Sequence, residues 1–308
     1  MFYTNACSPS RDRTGHAEIE PPMRVRALFA VPFLVLAVFV TPQAAGADAG
    51  VAALQVGLRA RGLYKGPIDG IRGPATAKAI QRLQRRARID VDGIVGPKTR
   101  RALGRFARHR LGSRPLLIGK SGWDVAALQF QLAKHGFPSD VFDGIFGPHI
   151  DRALRRFQKW AGLKVDGVAG PATLGALTAP PPTIPLPLAW PMTPPILGDR
   201  FGPRGAAWHS GIDLRAPTGS PVYSSRAGQV VWAGWRDGGW GFLVTVAHGR
   251  GERTMYAHLS RIDVRVGVWI GKGVRVGLVG ATGDATGPHL HFEVRLRGAA
   301  VDPLRALP

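Results

Sequence analysis

The sequence predicts a multidomain chain: two small all-α three-helix bundles followed by an all-β antiparallel module. Three observations carry that expectation. Residues 53–103 recur at residues 127–177; a Pro-rich run follows the second copy; and from residue 198 short apolar runs alternate with glycine-rich turns. Short helical stripes in a tandem repeat build bundles, whereas closely spaced strands with turn signals build an all-β fold.

The first element stands apart. Met23 opens "MRVRALFAVPFLVLAVFVTPQAAGADAG", with Arg24 and Arg26 as a basic start, residues 27–40 as an apolar run and Ala45-Gly46-Ala47 as a small-residue cleavage pattern. Residues 1–47 are therefore expected to be an N-terminal extension and a secretory signal peptide cut before Asp48. A retained transmembrane anchor is the alternative, but the run is shorter than the roughly 20 residues that span a bilayer, and Pro32 interrupts it. The polar residues 1–22 precede the signal and point to a start at Met23. The mature chain is thus expected in the cell wall or outside the cell, without stable membrane insertion.

The single cysteine, Cys7, falls in that first element. A mature form then has no disulfide, no Cys-based zinc site and no thiol nucleophile, so any metal must be held by His, Asp or Glu. The formal net charge is +21, and 37 basic residues against 17 acidic ones remain beyond residue 47. Such an excess implies a polyanionic neighbourhood. For an exported chain this means anionic wall polymers or a membrane surface rather than nucleic acid; the plainer reading is a basic, solvated surface.

The duplication aligns without a gap. Leu54 maps to Leu128, Asp69 to Asp143, Gln84 to Gln158, Asp92 to Asp166 and Thr99 to Thr173, each at an offset of 74. Within a unit, Val51, Leu54 and Leu58 share one helical face, Ala79, Ile80 and Leu83 form a second stripe, and Ala102, Leu103 and Phe106 a third. Between them, "DGIRGP" and "DGIVGP" reverse the chain at Asp-Gly, and Pro74 or Pro97 begins the next helix. The units are placed at 48–108 and 117–178. This pattern resembles the peptidoglycan-binding repeat family over residues 49–105 and 123–178. The resemblance implies binding of wall glycan or stem peptide without chemistry, unless the motif persists only as packing in a helical spacer. Phe142, Phe146 and Trp160 either face a ligand or fill the core.

Residues 179–195, "APPPTIPLPLAWPMTPP", form a Pro-rich linker that is extended and cannot continue a helix. Residues 196–308 follow as the all-β module. In "HLHFEVR", Leu290, Phe292 and Val294 fall on one strand face, and His289, His291, Glu293 and Arg295 on the other. A His-x-His pair alone can be a metal clamp, a catalytic pair or two ordinary strand residues. "WHSGID" adds His209 and Asp213, "YAHL" adds His258 and "VAHG" adds His248. A hydrolytic zinc site has three protein ligands and one open position. His209, Asp213 and one histidine of the pair supply that count, leaving two histidines for proton transfer and for the polarised oxygen.

Together "FGPR…HSGIDLRAPTGSPVYSSRAGQVVWAGW", "YAHLS", "GLVGATGDATGPHLHFEVR" and "VDPL" resemble the lysostaphin/LytM-type zinc endopeptidases of bacterial cell walls, over roughly residues 188–306. The resemblance implies a lysostaphin/LytM-like antiparallel fold with Zn2+ held by His209, Asp213 and His291, and a catalytic pair in His258 and His289. The chain departs from the family at Phe242, where an Asn is common, and at Pro203, where a Tyr precedes the first ligand. His248 matches no catalytic position and reads as a structural strand-end residue. Trp208, Trp232, Trp235 and Trp240 either line a groove or pack the core. The implied protein is a secreted zinc-dependent endopeptidase of peptidoglycan, targeted by two wall-binding modules. The alternative is a non-enzymatic wall-binding or amidase-activating protein on the same fold, which is expected to lack ligands; here all five positions are present.

Overall fold

The structure, a computed structural model, describes residues 46–184 and 187–308. The segment read as a signal peptide lies, up to Ala45, outside the described residues. Helix α1 (Ala49–Ala60) starts where Asp48 Oδ1 accepts from Val51 N at 2.8 Å. Helices α2 (Pro74–Arg86) and α3 (Pro97–Ala102) start at proline, whose missing N–H costs nothing in a first turn. The second copy repeats the proline starts in α5 (Pro148–Trp160) and α6 (Pro171–Ala176), whereas α4 (Trp123–Lys134) begins after Gly122 with no side-chain cap. Among the described residues no helix is long and apolar enough to cross a membrane.

The repeated motif is a hydrogen-bonded latch that occurs twice per unit. Gln84 Nε2 donates to Asp92 Oδ1 at 2.6 Å and to Ile94 O at 3.0 Å, while its Oε1 accepts from Gly93 N at 2.9 Å. Asp92 Oδ1 also accepts from Ile94 N, at 2.8 Å. Gln55, Gln129 and Gln158 close the Asp69, Asp143 and Asp166 loops in the same way. The loop glycine must be left-handed, with φ near +71° at Gly93, which explains the Asp-Gly pair. These glutamines are buried, so the motif residues spend their polar groups on the fold itself.

The third stripe differs from a continuous helix. Helix α3 ends at Ala102, Gly104 turns left-handed at φ +60°, and a 3-10 turn over Gly104–Ala107 carries Phe106 inward. The two units also share a core. Ala126, Ala127, Phe130 and Ala133 of α4, together with Phe142, join the cluster of Leu54, Ile80 and Leu103. Phe146 packs in a second cluster with Leu154 and Phe157, so both phenylalanines are core and not ligand-facing; Trp160 is half-buried at the edge of that cluster.

The β module holds one nine-stranded antiparallel sheet and a separate hairpin. The hairpin is β1 (Gly202–Arg204) with β2 (Ala207–His209). The remaining strands are β3 (Ile212–Arg215), β4 (Pro221–Tyr223), β5 (Gly228–Arg236), β6 (Gly241–Gly249), β7 (Glu252–Ile262), β8 (Trp269–Ile270), β9 (Arg275–Val279), β10 (His289–Leu296) and β11 (Ala299–Val301). Their path runs β11-β10-β7-β6-β5-β8, with β3 on β10 and β9 joining β7 to β4. Alternation along β10 buries Leu290, Phe292 and Val294 in the core with Tyr256, Val244 and Val230.

The Pro-rich segment is not a spacer throughout. Leu188 and Met192 are buried in the β core, Leu188 N donates to Ala306 O at 2.8 Å, and Ala189 N donates to Ser225 O at 3.0 Å. Proline removes helix as an option, but it leaves apolar side chains free to dock along a sheet.

Candidate metal centre

Strands β3 and β10 pair so that Asp213 lies directly opposite His291. His209, the last residue of β2, arrives from the hairpin through Ser210-Gly211. A Cβ at Gly211 would collide with Phe292 O, so only glycine lets the chain pass this close to β10. The result brings His209 Nε2 to 3.0 Å from His291 Nδ1, His291 Nδ1 to 2.8 Å from Asp213 Oδ1, and His209 Nε2 to 3.1 Å from Asp213 Oδ1. All three side chains are buried, and one donor atom from each falls within a sphere of contacts no wider than 4.8 Å.

The outer partners fix which atoms point inward. His209 Nδ1 donates to Arg200 O at 2.9 Å, and His291 Nε2 donates to Glu293 Oε1 at 3.2 Å. Arg204 Nη1 takes the other oxygen of Asp213, Oδ2, at 3.3 Å. What converges at the centre is then two imidazole lone pairs and a carboxylate oxygen, three acceptors without a donor in their neutral-histidine form. That donor set, two nitrogens and one oxygen with oriented second partners, fits a divalent ion such as zinc.

Electrostatics favour positive charge at the same point. Burial opposes ionisation of Asp213, yet hydrogen bonds from His209 and His291 hold its carboxyl well below the usual range. Burial would likewise depress His291, but the carboxylates of Asp213 and Glu293 raise it to about 9. Glu293 has no solvent exposure; burial is outweighed by the Arg295 charge and the His291 hydrogen bond, which lower it to about 2. Arg295 Nε meets Glu293 Oε2 at 2.7 Å, and Ser210 Oγ donates to Glu293 Oε1.

His258 and His289 stand beside this cluster, with ring centroids 4.8 Å apart; His258 is 5.8 Å from the His291 ring. His258 Nδ1 donates to Thr282 O and His289 Nδ1 to Gly287 O, each at 2.8 Å, so in both rings Nε2 is the nitrogen left free to face the centre. His289 Nε2 is 3.7 Å from Asp213 Oδ1. Burial pushes the His258 imidazole down to about 4, against the pull of the Thr282 carbonyl. His258 has φ +60°, an uncommon conformation for a residue with a Cβ, where the β6–β7 register slips between Phe242 and Val244. Such bulges re-aim a side chain, and such strain gathers at functional sites.

The remaining candidates divide by place. Trp240 forms a wall of the centre, its ring 5.7 Å from His291, and its carbonyl accepts from His258 N at 3.0 Å. Phe242, in the position of the family's Asn, is exposed and packs edge-on to exposed Trp235 at 5.4 Å. Trp232 is also exposed, whereas Trp208 is buried in the helical core. His248 bonds Ala227 O and Thr254 Oγ1, away from the centre. Glu293 was legible only as a member of the polar face of β10; its role as partner to His291 follows from spacing by two along that strand, a signal present in the sequence.

A His–Asp–His cluster that could hold a metal ion, with two more imidazoles at its side, is carried on an antiparallel sheet behind tandem helical modules. Residues 207–303 match peptidase family M23, and this part of the chain belongs to that family. Residues 47–103 and 121–177 each match the family described as "Putative peptidoglycan binding domain". Over 114 residues the chain is 45% identical to the DD-carboxypeptidase/endopeptidase Mpg of Neisseria meningitidis serogroup B, covering 36% of this chain and 26% of that protein. It is 43% identical over 99 residues to the peptidoglycan DD-endopeptidase ShyA of Vibrio cholerae, covering 32% and 23% respectively. The chain therefore spans about a quarter of the length of these curated relatives. Among solved structures, the catalytic domain of the antimicrobial peptidase lysostaphin from Staphylococcus simulans is 33% identical, with 36% of this chain and 90% of that chain covered at a TM-score of 0.35.

Proposed function

We propose that the chain is an exported, zinc-dependent endopeptidase that cuts peptide bonds in peptidoglycan stem peptides or crosslinks, held on that polymer by its two helical modules. His209, Asp213 and His291 are the zinc ligands in this reading, and His258 and His289 the catalytic pair. The carrying observation is the convergence of His209 Nε2, His291 Nδ1 and Asp213 Oδ1 on one point, with the outer partners of both rings already placed. Membership of a peptidase family supports hydrolysis. The repeat matches and the peptidoglycan DD-endopeptidase named among the relatives support the substrate class.

Zinc supplies Lewis acidity, polarising a carbonyl and bringing a water's pKa toward about 7. The chain's own residues do the rest. His258 and His289 each turn Nε2 toward the centre, where a ring in its neutral form can take the proton of the attacking water. The one that takes it becomes a cation with an N–H donor at Nε2, which can hydrogen-bond the developing oxyanion and then protonate the leaving amine. The carbonyls of Thr282 and Gly287 keep each ring from turning its Nδ1 inward. Trp240 walls one side of the centre, its ring 5.7 Å from that of His291.

Purified protein is expected to carry one zinc per chain and to release new amino groups from purified cell walls. Zinc content near zero at neutral pH together with no amine release would favour a non-enzymatic wall-binding protein instead.

A further inference from the structure

Two of the three proposed ligands, Asp213 and His291, stand on paired strands of the large sheet, but His209 does not. It ends a hairpin whose strands pair only with each other. Isolated two-stranded hairpins are marginal in water, so something else must hold this one. Adjacent strand residues point to opposite faces, and Trp208 therefore points away from the centre that His209 faces.

Trp208 enters the helical core. Its ring meets Phe130 of α4 at 5.9 Å and Phe201 at 5.7 Å, both edge-on. The hairpin's turn is gripped from both repeat units: Ile68 N donates to Gly205 O at 2.8 Å, and Phe142 N donates to Ala206 O at 2.7 Å. Ile68 follows α1 in the first unit, and Phe142 precedes α5 in the second. Among the described residues, the one side-chain hydrogen bond or ion pair from the hairpin strands to the sheet, apart from those of His209, is Arg204 to Asp213 at 3.3 Å, and Arg204 is half-exposed. The indole N–H of Trp208 has no hydrogen-bond partner among the described residues, so the contribution of this side chain is its apolar volume.

We propose that Trp208 is a positioning residue through which the helical modules fix His209, so that the modules serve the metal centre as well as any wall ligand. The inference rests on the reading of His209, Asp213 and His291 as a metal site. Packing of Trp208 against Phe130 and Phe201 locks the strand on which His209 sits, and outer contacts that orient a ligand commonly change metal affinity by about 10- to 100-fold when lost.

The test uses the full chain as unaltered protein, Trp208→Ala, Trp208→Phe and Phe130→Ala. Zinc affinity is read by competition with a chromophoric chelator, and ligand geometry by the visible spectrum of the cobalt-loaded protein. Trp208→Ala is expected to weaken zinc binding by about 10- to 100-fold and to alter the cobalt spectrum. Trp208→Phe should restore both, since it keeps apolar volume. Phe130→Ala, on a helix that touches no ligand, should shift affinity in the same direction, and it decides the matter if Trp208→Ala does not fold. Zinc held as tightly by Trp208→Ala, or by a folded Phe130→Ala, as by unaltered protein overturns the inference alone. Unaltered protein that takes up no zinc overturns the metal reading and the inference with it.

Discussion

Glu293 Oε1 lies 3.2 Å from His291 Nε2, and this carboxylate has no exposure to solvent. A buried charge of this kind needs partners, and it has three: His291, Arg295 and Ser210. Replacing it by Glu293→Gln keeps the shape but removes the charge that supports the His291 N–H. Zinc affinity is expected to fall about 10- to 100-fold, measured by chelator competition. Unchanged affinity would show that His291 needs no carboxylate behind it.

The neighbouring histidines of β10 separate by their contacts. His291 Nδ1 meets Asp213 at 2.8 Å, whereas His289 Nε2 stands 3.7 Å from it. His291→Ala is expected to lose both zinc and activity. His289→Ala should keep zinc while amine release from cell walls drops by about 100- to 10,000-fold. Equal zinc content in the two variants contradicts this division.

Closing a loop is the work of Gln158. Its Nε2 donates to Asp166 Oδ1 at 2.9 Å and to Val168 O at 3.1 Å, and its Oε1 accepts from Gly167 N at 3.0 Å. Gln158→Ala orphans those groups and should destabilise the protein by about 1–3 kcal/mol in urea unfolding. Zinc content should stay at the level of unaltered protein, because the latch lies outside the centre.

Burial also holds His248 below its ordinary value, against the pull of the Ala227 carbonyl. Above about pH 6.5 neither folded nor unfolded chain is protonated there. As the pH falls below that, the unfolded chain takes up the proton first, and stability declines until the lowered folded value is passed. The urea midpoint of His248→Gln should therefore fall less between pH 7.5 and 5.5 than that of unaltered protein. Parallel declines would remove His248 from the acid response.

Much of this molecule can be read along one dimension. The repeat is visible because duplicated units keep their Asp-Gly turns and helix-starting prolines, which act locally. Asp213 and His291 were legible because motif spacing and strand alternation bring them to one face. Other features depend on residues distant in sequence. Trp208 and His209 are expected on opposite faces of a strand, but nothing near them says that residues 68, 130 and 142 fill the far side. Leu188 and Met192 sit in a run whose prolines signal a spacer, and only the sheet beside them makes them core. The third helix stops at Ala102 because Gly104 takes a left-handed turn, an outcome that a stripe of apolar residues does not show.

The clamp on the β1–β2 hairpin gives the helical modules and the sheet a common frame. A long loose tether lets an enzyme search a volume; a clamp sets a span. In the proposed function, a wall strand caught by the repeats meets the zinc at one distance and one heading, and a bond outside that span goes uncut however cleavable its chemistry makes it. The protein would then work as a caliper on the polymer, selecting where to cut by length as much as by residue.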